Sequence, residues 1–145
     1  MFIEYNSSYE NDLKLMIKEF YSLPAVLHKI PDNHIESTIN ILNAKSQLAK
    51  AYLIFADDKI AGYGLLAFTY SNEAGGTVIW LEELYIRSEF QNRSLGGRFI
   101  DFIIDEYKNI VKRIRLEYTS DNKAQSLYKA KGFEQLDYKQ MLIDF

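Results

Sequence analysis

Residues 78–118 limit this chain more than any other part of it. "VIWLEELYI" (78–86) is an apolar run of strand length. "SEFQNRSLGGRF" (88–99) follows, with small or amide residues at Gln91, Asn92, Ser94, Gly96 and Gly97 and arginines at 93 and 98. The spacing of Leu95, Phe99, Phe102, Ile103, Tyr107 and Ile110 then predicts a helix over 95–111 with those residues on its buried side. Asp101 and Asp105 sit early in it, and Lys112 and Arg113 late, as the helix dipole prefers. "RIRLEY" (113–118) reads as the next strand. A strand, helix and strand in this order form a right-handed crossover between parallel strands.

The remaining segments are placed around that unit. Residues 2–5 read as a short strand, and Ser7 with Glu10 makes a capping box for a helix carrying Leu13, Met16, Ile17 and Phe20. Pro24 and Pro31 end it. Asn33 and Glu36 form a second capping box, ahead of Ile35, Ile39 and Leu42. "AYLIFADDKIAGYGLLAFTY" is a β-hairpin turning at Asp57-Asp58-Lys59. A short helix over 121–131 stops at Gly132, and residues 139–144 read as a last strand. The predicted order is β-α-α-β-β-β-α-β-α-β. The fold class is α+β (α/β): a mixed, mostly antiparallel twisted sheet flanked by about four helices. The 145 residues suit one domain spanning 1–145.

Composition excludes several functions. The chain has no cysteine, which removes disulfides, thiolate metal sites and a thiol nucleophile. With histidine only at 28 and 34, a three-histidine metal site cannot form, and no metal is expected. A net charge of −3 without a basic cluster argues against nucleic acid and suits a cationic small molecule. The first residues hold no signal peptide and no apolar run reaches the ~18 residues of a membrane span, so a cytoplasmic protein is expected. With 11 Tyr and 9 Phe, any one aromatic residue is first of all a packing residue.

A loop leaving a strand and opening a helix aims free backbone N–H groups at one spot, where the helix dipole adds positive charge. Small residues let a ligand approach the backbone. Such a segment binds phosphate, with Arg93 and Arg98 as further charge. The chain carries neither the G-x-x-x-x-G-K-S/T loop nor the dinucleotide G-x-G-x-x-G.

Residues 91–96 resemble the acetyl-CoA loop Q/R-x-x-G-x-G/A of the GNAT superfamily of N-acetyltransferases, with Gln91 first, Ser94 at the first glycine and Gly96 at the second. "DNKAQSLYKAKGF" (121–133) is similar to a second segment of that family, N-x-x-A-x-x-L-Y-x-x-x-G-F, with Ala124, Leu127, Tyr128, Gly132 and Phe133 in register. Asp121 stands where Asn is usual, with Asn122 beside it. Ser94 is the other departure, and it matters if that position needs a positive φ. The resemblance covers essentially the whole chain. It implies acetyl-CoA as co-substrate, with the pyrophosphate cradled by Gln91, Asn92, Arg93, Ser94, Leu95, Gly96 and Gly97. Asp121, Asn122 and Ala124 would lie on the cofactor side. Leu84, Tyr85 and Ile86 would hold the pantetheine arm, Leu84 and Ile86 through their backbone.

Acetyl transfer to an amine needs a route for the amine proton, a donor for the oxyanion and an acid for the leaving thiolate. By resemblance Tyr128 is the acid. Glu82 and Glu83 are adjacent in a strand, so they point to opposite faces, Glu82 sharing its face with Leu84 and Ile86. "WLEELYI" also resembles the acidic strand of spermidine/spermine acetyltransferases, which favours Glu82 as base through water or as anchor of the substrate ammonium. Which of the two carboxylates faces the site stays open. Glu83, His28 and Tyr21 are candidates for the acceptor site, and Trp80 and Tyr85 are further wall residues.

The expected activity is acetyl transfer from acetyl-CoA to a primary amine of a small molecule, by direct attack in a ternary complex. The resemblance also allows a homodimer. Two rival readings remain: a protein or peptide N-acetyltransferase with an open groove, and a non-catalytic acyl-CoA-binding regulatory module. An unrelated nucleotide-binding domain is the remote third.

Overall fold

The computed structural model describes residues 1–24, 26–119 and 124–145. Five strands form one sheet in the order β1-β2-β3-β4-β5: β1 (Phe2–Glu4), β2 (Ala49–Ala56), β3 (Lys59–Ser71), β4 (Gly76–Ile86) and β5 (Arg113–Leu116). Neighbours are antiparallel except β4 and β5, which are parallel and joined through the helix α3 (Leu95–Tyr107). The helices α1 (Glu10–Tyr21) and α2 (Asp32–Asn43) precede β2, and α4 (Gln125–Ala130) follows β5. The mixed, mostly antiparallel sheet with four helices agrees with the predicted fold class.

Each face of the sheet has its own core. α3 lays Leu95, Phe99, Ile100, Ile103 and Tyr107 on one face, against Leu66, Ile79, Leu81 and Ile54. Leu13, Met16 and Ile17 of α1 and Ile35, Ile39 and Leu42 of α2 cover the other, against Ala51, Leu53, Tyr63 and Tyr85. Burying one such large side chain contributes roughly 2 kcal/mol, so the two apolar helix faces suffice to fix α1 to α3 on the sheet. Phe99, wholly buried, touches Phe2 and Tyr52 edge-on or tilted, and its loss to Ala should cost about 4 kcal/mol.

Several local expectations are corrected. Ser7 does not cap α1: it starts a 3₁₀ turn, Ser7–Tyr9, that is capped by the Asn6 side-chain Oδ1 accepting from the Ser8 N–H at 3.0 Å. Asn33 lies inside α2, which begins after Pro31 without a side-chain cap. The Glu36 carboxylate instead takes the Lys14 ammonium at 2.8 Å and so ties α2 to α1. α3 ends at Tyr107, which leaves Ile110 exposed and Arg113 at the start of β5. The predicted last strand does not form: residues 133–145 have no regular structure, and Met141, Leu142, Ile143 and Phe145 are exposed. β5 therefore forms one edge of the sheet. Among the described residues no helix is long and apolar enough to cross a membrane.

Candidate functional site

The site begins with a slip in register. Leu65 of β3 faces Glu83 of β4, whereas Leu66 faces Leu81. Glu82 is the extra residue of a β-bulge. The slip resets the alternation: Leu81 and Leu84, three apart, both join the α3-side cluster, while Glu83 and Tyr85 turn toward α1. Glu82 borders α2 on that same side. The expectation that Glu82 and Glu83 point to opposite faces, with Glu82 beside Leu84 and Ile86, is therefore corrected, because strict two-residue alternation fails at a bulge.

The bulge coincides with a parting of strands. The ladder between β4 and β5 runs from Val78 and Arg113 to Leu81 and Leu116 and stops there. From Glu82 to Ile86, β4 keeps β3 on one side and has no strand on the other among the described residues. The gap opens beside two different carboxylates. Glu83 is 8% exposed and accepts the hydroxyls of Tyr21 (2.7 Å) and Tyr63 (2.5 Å). Burial pushes its carboxyl up from the ordinary range, and the two hydroxyls partly offset this. Burial raises the phenols of Tyr21 and Tyr63, and the hydrogen bonds to Glu83 and its charge raise them further, so both stay protonated donors. Glu82 is exposed and has no ion-pair partner among the described residues. Its carboxyl is also pushed up, by desolvation first and then by the charges of Glu117 and Glu83.

Tyr128 stands across the sheet from Glu82. It lies on α4, packs its ring near Tyr118 and Phe133, and joins the α3-side cluster. It lines a cleft of about 860 Å³ along β5, together with Leu116, Glu117 and Tyr118. Burial raises its phenol above the usual value.

The segment 87–97 is held by its own side chains. Arg87 meets the Glu19 carboxylate of α1 through Nε at 3.1 Å, and the Tyr85 hydroxyl donates to the same carboxylate at 3.2 Å. Gln91 does not extend outward; its amide Nε2 donates back to the Ile86 carbonyl at 3.0 Å. Asn92 and Ser94 both take the left-handed conformation, with φ of 60° and 57°. The Ser94 departure therefore falls where glycine is favoured, at a cost of about 1 kcal/mol. Arg93 forms a two-pronged ion pair with Asp57 of the β2–β3 turn, at 2.7 and 3.0 Å, with its guanidinium near the Phe90 ring. Arg98 donates its N–H to Ser94 as the first helical bond of α3 (3.0 Å), so the N–H groups of Leu95, Gly96 and Gly97 precede it and point out of the helix start.

The two glycines differ. A Cβ at Gly96 would meet only Leu84, at 3.8 Å, so the protein leaves the space beside it open. A Cβ at Gly97 would press on Leu127 of α4 at 3.2 Å, so this glycine seats the helix that carries Tyr128.

The two histidines lie on the surface, whereas Trp80 lines the cleft of Tyr128. His28 is exposed in the connection between α1 and α2, and His34 is exposed in the first turn of α2. Trp80 is half-buried, with the Arg115 guanidinium 4.2 Å over its ring. Ala124 precedes α4 and accepts the Tyr128 N–H at 3.0 Å, while Asp121 and Asn122 lie outside the described residues. Sequence reasoning missed Tyr63, Glu19, Asp57 and Glu117. Only Asp57 carried a signal, as the hairpin turn.

Residues 15–133 match the acetyltransferase (GNAT) family. The chain belongs to that family. A stretch of 79 residues is 33% identical to the bovine (Bos taurus) thialysine N-epsilon-acetyltransferase; it covers 53% of this chain and 46% of that protein, so the match spans about half of each. Among solved structures, a predicted acetyltransferase with acetyl-CoA from Clostridium acetobutylicum superposes with a TM-score of 0.79 at 17% identity, over 99% of this chain and 95% of that one. A ribosomal-protein-alanine N-acetyltransferase from Brucella melitensis gives 0.79 at 12% identity, over 100% and 98%. At these identities the two structures bear on the GNAT fold alone.

Proposed function

We propose that this GNAT chain transfers the acetyl group of acetyl-CoA to a primary amine of a small molecule, by direct attack in a ternary complex. The observation that carries the reading is the gap at Glu82. A carboxylate stands on one side of the sheet, a phenol on the other, and β4 and β5 part between them. A thioester placed in that gap meets an amine arriving from the α2 side.

The unpaired N–H groups of Leu95, Gly96 and Gly97 hold the pyrophosphate, with Gln91, Asn92 and Ser94 shaping the loop. Arg93 contributes through its tie to Asp57. Leu84, Tyr85 and Ile86 of the unpaired β4 edge hold the pantetheine arm, and a backbone N–H there polarises the thioester carbonyl. Ala124, Asp121 and Asn122 border the cofactor. No metal takes part.

The amine arrives as an ammonium beside Glu82. It loses one proton to Glu82 through water, and its lone pair forms the N–C bond. The C–S bond then breaks, the thiolate takes the Tyr128 proton, and the second proton of the attacking nitrogen passes through water to the phenolate, which leaves a neutral amide and restores Tyr128. The raised phenol keeps that proton available at neutral pH. Glu83 holds Tyr21 on the acceptor side. His28, exposed in the loop after α1, is a further candidate for the acceptor side. We place the protein in the cytoplasm, as a homodimer, a state that the exposed Met141, Leu142, Ile143 and Phe145 support.

The test is Tyr128→Phe under saturating acetyl-CoA. The expected loss in kcat is about a hundredfold or more with cofactor affinity retained. An unchanged kcat ends the assignment. Failure of the unmodified protein to bind acetyl-CoA in calorimetry ends the reading altogether.

A further inference from the structure

On the α2 side of the sheet a groove of about 240 Å³ leads away from Glu82. Besides Glu82, its lining is Ser37, Thr38 and Ile41 of α2, Ala49 of β2, and Leu65, Leu66 and Ala67 of β3. Ala49 and Ala67 are direct cross-strand partners, and two small side chains face to face leave the depression. Both helix hydroxyls are already used: Ser37 donates to the Asn33 carbonyl at 2.9 Å and Thr38 to the His34 carbonyl at 3.1 Å. They present carbon to the groove. Among the described residues Glu82 is its one ionisable side chain.

The neighbouring carboxylates do not enter it. Glu83 is turned between Tyr21 and Tyr63, and Glu117 lines the cleft beyond Leu116. An ammonium at Glu82 is met by charge, and whatever trails from it is met by hydrocarbon. A second ammonium at the far end would lie beside Ala49, Ala67 and Ile41, with no carboxylate among the lining residues there to meet it. From the bulge of β4 to Ala49 of β2 is two strand spacings, about 10 Å.

We infer that this groove holds the carbon chain of the acceptor, and that the substrate is a primary amine on an uncharged aliphatic chain of about five or six carbons, the length left of two strand spacings once the ammonium sits about 3 Å from the carboxylate. The groove lies below the volume of pockets for drug-sized ligands, which suits a bare chain and not a peptide. The inference rests on the transferase reading and deepens it, because the same carboxylate receives the amine.

The experiment measures acetyl transfer by the full chain from acetyl-CoA to hexylamine, hexanediamine, lysine and ethylamine, with the products identified by mass. The expected kcat/KM for hexylamine exceeds that for hexanediamine by about tenfold or more. Ala67→Leu fills the groove, and should raise KM for hexylamine about tenfold while that for ethylamine stays within about twofold. Equal or better use of hexanediamine or lysine overturns the inference and leaves the transferase reading standing. So does an Ala67→Leu variant with an unchanged KM for hexylamine. The amine series on the unmodified protein decides the matter even where the variant fails to fold. Bound acetyl-CoA with transfer to no amine overturns the transferase reading, and the inference falls with it.

Discussion

Glu82 and Glu83 are consecutive residues of one strand, and both lie on the side of the sheet that α1 and α2 cover. A bulge opposite Leu65 and Leu66 causes this, and it separates the pair by environment. Glu83 is buried between two phenols, while Glu82 meets solvent at the mouth of a groove. Two carboxylates with the same chemistry thereby acquire different surroundings, one held by two hydroxyls and one open to solvent.

Glu83 should make stability fall as pH rises. Burial raises its carboxyl in the folded state above the unfolded value near 4.3, so the folded form binds the proton more tightly. The resulting stability is fully present below the unfolded pKa and is lost as pH climbs through the folded pKa. Glu83→Gln lacks that titration. Thermal melting of both proteins from acid to neutral pH should show the unmodified protein losing ground to the variant. A constant difference would refute the account.

Glu82 should set the ascending limb of the pH–rate profile. A base works deprotonated, and desolvation with the charges of Glu117 and Glu83 raises its pKa, so the limb should lie above the ordinary carboxylate range. Glu82→Gln should abolish the limb and lower kcat by about a hundredfold. Retention of the limb in the variant would remove Glu82 as base.

Ser94→Gly should stabilise the protein. The residue holds φ at 57°, and glycine relieves about 1 kcal/mol of backbone cost. The melting temperature should rise by about 3 °C, with acetyl-CoA affinity equal or higher. A fall in either quantity would mean that the serine side chain contributes something its conformation does not reveal.

Gly96 and Gly97 should respond in opposite ways. Gly96→Ala meets no protein atom closer than 3.8 Å, so melting should stay put while acetyl-CoA binding weakens. Gly97→Val drives into Leu127 and should lower melting and kcat together by shifting α4. Calorimetry and melting on the two variants separate these outcomes, and the reverse pattern would place the cofactor elsewhere.

Arg93 and Asp57 should behave as one unit. Each holds the other across two strained turns, with Asp57 at φ 51° and the neighbours of Arg93 at 60° and 57°. Asp57→Ala should weaken acetyl-CoA binding several-fold, and adding Arg93→Ala should cost little more. Tighter binding in Asp57→Ala would instead show that Arg93, once freed, serves the phosphate directly.

The sequence by itself determined what repeats locally. The apolar spacing of Leu13, Met16 and Ile17 and of Leu95, Phe99 and Ile103 marks buried helix faces, because burial follows the helical period. The hairpin turn at Asp57-Asp58 and the bare stretch 91–97 announce themselves by residue type. Only the tertiary structure decided the rest. A bulge is a mismatch between two strands, so no pattern within β4 could show that Glu82 and Glu83 share a side. Glu36 has no cap to complete, because α2 starts at Asp32 and takes Asn33 inside it, and its carboxylate pairs with Lys14 of another helix instead. Tyr63 and Glu19 became partners of the site across 20 and 66 residues of chain, and pairing at that distance is set by how the sheet and α1 pack.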